Sequence, residues 1–89
     1  MFKFKNKKLV DIDNNIFKKH SKIVQNKILS IADHNSSVSM YVNLDFSDEQ
    51  LLEILKGLEE GVNVSCYAKH YFSPAQMQVI RKGLLEQED

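Results

Sequence analysis

Residues 46–58 read FSDEQLLEILKGL and residues 72–84 read FSPAQMQVIRKGL. Set 26 residues apart, the two stretches share Phe, Ser, Gln, Ile, Lys, Gly and Leu at matching places. Each opens with the same local helix signal. Ser47 fits an N-cap and Gln50 the third helical position, which together make a capping box, while Phe46 and Leu51 stand where a hydrophobic staple needs them. Ser73, Gln76, Phe72 and Met77 repeat the arrangement, and Pro74 falls at the first helical position, where its missing donor costs nothing. Gly61 suits the left-handed position that ends a helix, so the middle helix is predicted to run for roughly 13 residues, or ~20 Å.

Working outward, the connector repeats as well: VSMYVNLDFS at 38–47 lies over VSCYAKHYFS at 64–73. A further step of 26 residues toward the N-terminus puts Ser21 over Ser47, Ile28 over Ile54 and Leu29 over Leu55, so 20–45 reads as a degenerate first copy. The expected fold is therefore mainly α, a small stack of about three helix-plus-connector repeats, since one such unit cannot bury its own apolar face. Within a single domain, 1–89, the expected divisions are a basic segment and helix start at 1–19, the degenerate repeat at 20–45, a repeat at 46–71 and a truncated capping repeat at 72–89.

Differences between the copies add detail. Leu51, Ile54 and Leu58 form a stripe at helical spacing, widened by Leu52 and Leu55, so the middle helix should be covered from more than one side. In the last helix the stripe is Met77, Ile80 and Leu84, but the flank becomes Gln78 and Arg81, as expected where no further unit stacks. Gly57 and Gly83 each cost a helix about 1 kcal/mol relative to alanine, and their recurrence predicts close approach of another backbone. Near the N-terminus, Asp13 can cap one long helix carrying Ile16, Phe17, Ile23, Val24, Ile28 and Ile31 and reaching Asp33 or His34. FKFKNKK at 2–8 fits either a short N-terminal edge strand or a flexible basic arm.

Zero net charge conceals a split: residues 1–30 hold eight lysines against two aspartates, net +6, and residues 31–89 are net −6. The candidate binding surface is accordingly Lys3, Lys5, Lys7, Lys8, Lys18, Lys19 and Lys22, with Phe2 and Phe4 interleaved, joined by Gln78 and Arg81 on the last helix. Lysine tracks phosphate charge but reads little geometry, and Arg81 is the single arginine. The plainer reading is the solvated face of a Lys-rich terminal segment. The acidic residues Glu49, Glu53, Glu59, Glu60, Glu86, Glu88 and Asp89 read as solvated helix faces or as a carboxylate row facing a basic partner.

No catalytic constellation emerges. His20, His34 and His70 lack ligand-like spacing to Cys66 or to one another, and no base is placed to activate the thiol. Cys66 aligns with Met40, a slot for a soft apolar side chain. Tyr41 and Tyr67 share a position that suits a buried ring with its hydroxyl on backbone. No metal or cofactor is implied, and an enzyme is disfavoured. One cysteine, no signal-peptide pattern and no apolar run near the ~18 residues of a membrane span point to a soluble, cytoplasmic protein.

The repeat resembles one found in proteins of mobile elements from low-GC Gram-positive bacteria, of the form F-x-x-x-Q-M-x-x-I-R-x-G-L-x-x-G-x-D-V-S-x-Y-A. Phe72, Gln76, Met77, Ile80, Arg81, Gly83 and Leu84 carry the match in the last copy, and Gly61, Val64, Ser65, Tyr67 and Ala68 carry it in the connector. The chain departs at Asn63, where the pattern has Asp, and at 69–71, where proline is common. The resemblance implies a small helical repeat in a mobile-element setting and brings no activity or site with it. The expected function is a non-enzymatic protein-binding module, in that setting an inhibitor or regulator of a host defence protein such as a CRISPR nuclease. The alternative is a nucleic-acid-binding regulator using the lysine-rich first third. A homodimer through flank residues such as Val79 and Leu85 is a third possibility.

Overall fold

Three serines 26 residues apart, Ser21, Ser47 and Ser73, each cap the start of one of the three longer helices. The computed structural model describes residues 12–87, and the chain is mainly α-helical. Among those residues lie α1 (Asn14–Lys19), α2 (Lys22–Ala32), α3 (Val38–Val42), α4 (Asp48–Glu60), a 3-10 turn (Val64–Cys66) and α5 (Pro74–Glu86), with no strand. The strand-or-arm question at 2–8 lies outside the described residues.

Both capping boxes form. The Ser47 N–H donates to Gln50 Oε1 at 3.1 Å and the Gln50 N–H returns to Ser47 Oγ at 3.2 Å; the Ser73–Gln76 pair repeats this at 2.8 and 3.1 Å. At the far end of α4, Gly61 takes a left-handed φ of 81°, its N–H donates to the Leu58 carbonyl, and the Val62 N–H donates back to the Gly57 carbonyl. That pair of bonds satisfies two of the carbonyls every helix end leaves open. The predicted 13-residue length of α4 is the observed one.

The predicted long N-terminal helix is two helices. Asp13 does cap the first, accepting from the Asn15 and Ile16 N–H groups, but the chain turns extended at His20 and Ser21 and restarts at Lys22. The cause is tertiary. Asp48, at the start of α4, accepts hydrogen bonds from His20 Nδ1 and from the Ser21 N–H, and these hold the backbone out of the helix. Apolar periodicity does not register such a break, because Ile16 and Phe17 before it and Val24, Ile28 and Ile31 after it still reach the core, although Ile23 is exposed.

The core is centred on α4, which packs on α2, α3, the 3-10 turn and α5. Leu51, Ile54 and Leu55 are fully buried there beside Val24, Ile28, Ile31, Val38, Val42, Val64, Tyr67 and Met77. Covering of α4 from several sides is therefore observed, with Leu52 and Leu58 partly exposed at its margin. A salt bridge from Lys27 to Glu59 at 2.7 Å ties α2 to α4 across the surface. Gln50 has a second task beyond its cap: its Nε2 donates to the carbonyls of His70 and Phe72, fastening the start of α4 to the segment that leads into α5.

Two expectations about the glycines change. A Cβ at Gly57 would fall inside the van der Waals envelope of Tyr67 Oη and lie 2.6 Å from Val64 Cγ1, so the close approach is by side chains and not by backbone. A Cβ at Gly83 would meet nothing within 4 Å among the described residues outside its own helix backbone. The matched slot of Cys66 and Met40 lies at the surface, since both residues are exposed.

Candidate functional site

Arg81 was expected on a solvent-facing flank, and it is instead only 5% exposed. Its Nε donates to Glu53 Oε1 at 3.0 Å, and its Nη1 reaches both oxygens of Glu60 at 2.8 Å. Burial alone would lower the pKa of the guanidinium, but the bonds to Glu60 and Glu53 and the charges of both carboxylates raise it above its ordinary value. Arg81 thus joins α5 to α4 and presents no fork to a ligand. Gln78, the other α5 candidate, is half-buried.

The lysines divide differently. Lys3, Lys5, Lys7 and Lys8 lie outside the described residues, while Lys18, Lys19 and Lys22 are exposed around the junction of α1 and α2. Lys19 is already engaged, its Nζ 3.0 Å from Asp45 Oδ1 and 3.3 Å from Oδ2. Beside it opens a cleft of about 500 Å³ lined by Lys19, His20, Asp45, Phe46, Ser47, Asp48 and Glu49. Three carboxylates against one paired lysine make that cleft unfavourable for a phosphate.

That cleft also contains the one arrangement with a catalytic look. His20 is buried, its Nδ1 lies 2.5 Å from Asp48 Oδ1, and its Nε2 is buried without a hydrogen-bond partner among the described residues. An ionised carboxylate can only accept, so the proton sits on Nδ1, the tautomer that an orienting acid imposes on a general base. The Ser21 and Ser47 hydroxyls beside it are each committed to an N-cap. The pair clasps the α1–α2 break to the start of α4. Its signal in the sequence was a substitution, since His20 occupies the position held by Phe46 and Phe72 before the other two N-cap serines.

The His20 hydrogen bond is the largest influence on Asp48 and draws its carboxyl below the ordinary range; partial burial opposes this and the Ser21 N–H reinforces it. A carboxylate shifted downward contributes stability that is present above its unfolded pKa, about 4, and is lost as pH falls through the lower folded value. Asp48→Asn is accordingly expected to cost about 1 kcal/mol at pH 7, discounted for the part-exposed carboxylate, and progressively less below about pH 4. Urea midpoints for both proteins at pH 7, 4 and 3 measure this; a gap that does not change with pH would remove the charge from the account.

The remaining histidine and tyrosine candidates have structural surroundings. His70 stacks on Phe46, with centroids 4.1 Å apart, and its Nε2 bonds to the Leu44 carbonyl. The buried Tyr67 hydroxyl donates to the Glu53 carbonyl at 2.7 Å, and burial pushes the phenol pKa upward. Among the described residues no group of three His, Cys, Asp or Glu side chains could hold a metal ion, and no helix is long and apolar enough to cross a membrane.

Some apolar side chains also remain at the surface. Ile23, Leu29, Met40, Leu44, Tyr71 and Val79 are all exposed large hydrophobic side chains, Tyr71 at 77% and Val79 at 71%. Val79 lies on the side of α5 where Gly83 is open. In comparisons with known proteins, the chain matches no protein-family model, no curated protein and no solved structure at a significant level.

Proposed function

We propose that this chain is a non-enzymatic binding module that engages another protein through the outer face of α5. The observation that carries this reading is the exposure of Val79 on α5 and of Tyr71 in the segment that leads into it, while the polar flank residue Arg81 is turned inward. Large apolar side chains left at the surface favour a macromolecular partner, and aromatic anchors that become buried dominate such contacts. If the sequence resemblance holds, the partner is a protein of the host cell of a mobile element, and an inhibitor of a CRISPR nuclease or another defence protein is the specific form proposed. Cytoplasmic location and the absence of any enzymatic activity belong to the same proposal.

Affinity purification from a bacterial lysate tests it. The chain should recover a defined protein in stoichiometric amount, and Val79→Asp should lose it while leaving the melting temperature within a degree or two, because an exposed position carries little stability. Recovery of no specific partner, or equal recovery by Val79→Asp, overturns the α5 reading.

The nucleic-acid alternative draws on the exposed Lys18 and Lys22 and the net +6 of residues 1–30. It predicts binding whose affinity falls with salt on a log–log slope near ~−0.9 per phosphate neutralised on duplex DNA. The acidic cleft beside Lys19 favours the protein partner over this alternative.

A further inference from the structure

The chain contains a worked example of what fills a glycine notch on its own helices. Tyr67 lies across α4 at Gly57 and donates its hydroxyl to the carbonyl of Glu53, one helical turn earlier, while Val64 packs into the same notch. A helix carbonyl already accepts one bond from the N–H four residues on, and its second lone pair is normally screened by the side chain at that position. Glycine removes the screen. The notch therefore selects a segment of the form Val-x-x-Tyr in a tight turn: the valine fills the space and the phenol finds the carbonyl.

On α5 the same surface recurs without its occupant. Lys56, Gly57, Leu58 and Glu60 of α4 correspond to Lys82, Gly83, Leu84 and Glu86, and the carbonyl one turn before Gly83 is that of the exposed Val79. Among the described residues nothing lies within 4 Å of where a Cβ on Gly83 would stand. An unfilled glycine inside an exposed helix lowers helix stability and gains nothing in return.

We infer that the Gly83 notch on α5 is a binding site for a Val-x-x-Tyr turn supplied by a different protein chain, held by apolar contact at the notch and a phenol hydrogen bond to the Val79 carbonyl. This deepens the binding-module reading and rests on it. A second copy of this chain is a poor donor, because both of its own turns of this form are occupied: Val38 and Tyr41, like Val64 and Tyr67, are buried in the core. Exposed Tyr71 has Ala68 three residues before it and lacks the valine.

The probe is a synthetic peptide copying residues 61–71 with Cys66→Ser, titrated onto the full chain by fluorescence anisotropy. Saturable binding is expected, weakened about fivefold to tenfold when the peptide tyrosine is replaced by phenylalanine. Gly83→Ala should abolish binding while raising the melting temperature, since a Cβ there meets no atom of the described residues and improves helix propensity. Loss of binding in a protein that has become more stable cannot be ascribed to misfolding. Each of these results overturns the inference: no peptide binding, equal binding by Gly83→Ala, or concentration-dependent self-association that Gly83→Ala removes, which would make a second copy the occupant. Recovery of a protein partner that is sensitive to Val79→Asp but indifferent to Gly83→Ala would overturn the notch and leave the binding-module reading standing.

Discussion

Arg81→Ala is expected to destabilise the protein by about 3 kcal/mol in urea denaturation, a large part of the ~5–15 kcal/mol that holds a typical domain. The reason is the partner left behind more than the bond removed. Glu53 is buried and accepts Arg81 Nε at 3.0 Å, so deleting the guanidinium leaves a carboxylate in a poorly solvated place with only the more distant Lys56 ammonium, 3.8 Å from its other oxygen, as counter-charge. Glu60 contributes less, because its side chain is about a third exposed and can turn to water. Arg81→Lys keeps the charge but cannot satisfy both carboxylates from one planar group, and is expected to cost about 1–2 kcal/mol. Replacing both partners, Arg81→Met with Glu53→Met, should be less damaging than Arg81→Ala alone, since it removes the buried carboxylate and leaves only the part-exposed Glu60 without its arginine. An Arg81→Ala protein within 1 kcal/mol of the parent would show that solvent, and not the ion pair, stabilises Glu53.

The second large effect is a reversal of sign between two identical changes. Gly57→Ala and Gly83→Ala both place a methyl group inside a helix at matched positions, and helix propensity favours each by about 1 kcal/mol. At Gly57 the methyl collides with Tyr67 and Val64, so the ring must move, its hydroxyl leaves the Glu53 carbonyl, and the overpacked core yields a net loss of about 2–3 kcal/mol. At Gly83 there is no collision, and the net change is a gain of up to about 1 kcal/mol. For a domain of this size each kcal/mol shifts the melting temperature by roughly 4–8 °C, so the two variants should melt at clearly separated temperatures on opposite sides of the parent. Destabilisation by both would mean that α5 is covered by part of the chain outside residues 12–87.

The legible parts of this protein are those whose causes lie within about one helical turn. A capping box joins groups three residues apart, so Ser47 with Gln50 and Ser73 with Gln76 could be read as helix starts before any contact was known. Gly61 could likewise be read as a stop, because its left-handed φ is a property of the residue itself. The 26-residue spacing also aligned Ser21 with Ser47 and Ser73, but apolar periodicity drew one helix from Asp13 straight through it, so this third start was not read. Where the same reading failed, it failed at Ser21's own neighbour. Asp48, 28 residues downstream of His20, breaks the helix that apolar spacing had drawn straight through.

The candidate surface shows the same division more sharply. Arg81 and Gln78 were grouped as a solvent-facing flank because a polar residue in an apolar slot usually marks an exposed side; Arg81 is buried because Glu53 and Glu60 lie across the helix contact to receive it. The sequence by itself determined the helix starts at Ser47 and Ser73, the stop at Gly61, the stripe that made α4 central and the equivalence of Gly57 with Gly83, all consequences of local backbone chemistry and helical period. Only the tertiary structure decided that Arg81 turns inward, that His20 and Asp48 clasp the α1–α2 break, and that one glycine notch is filled while its twin stands open. Those outcomes depend on which groups meet across 10 to 30 residues of chain, where burial of a charge or a ring is settled by its partner and not by its own type.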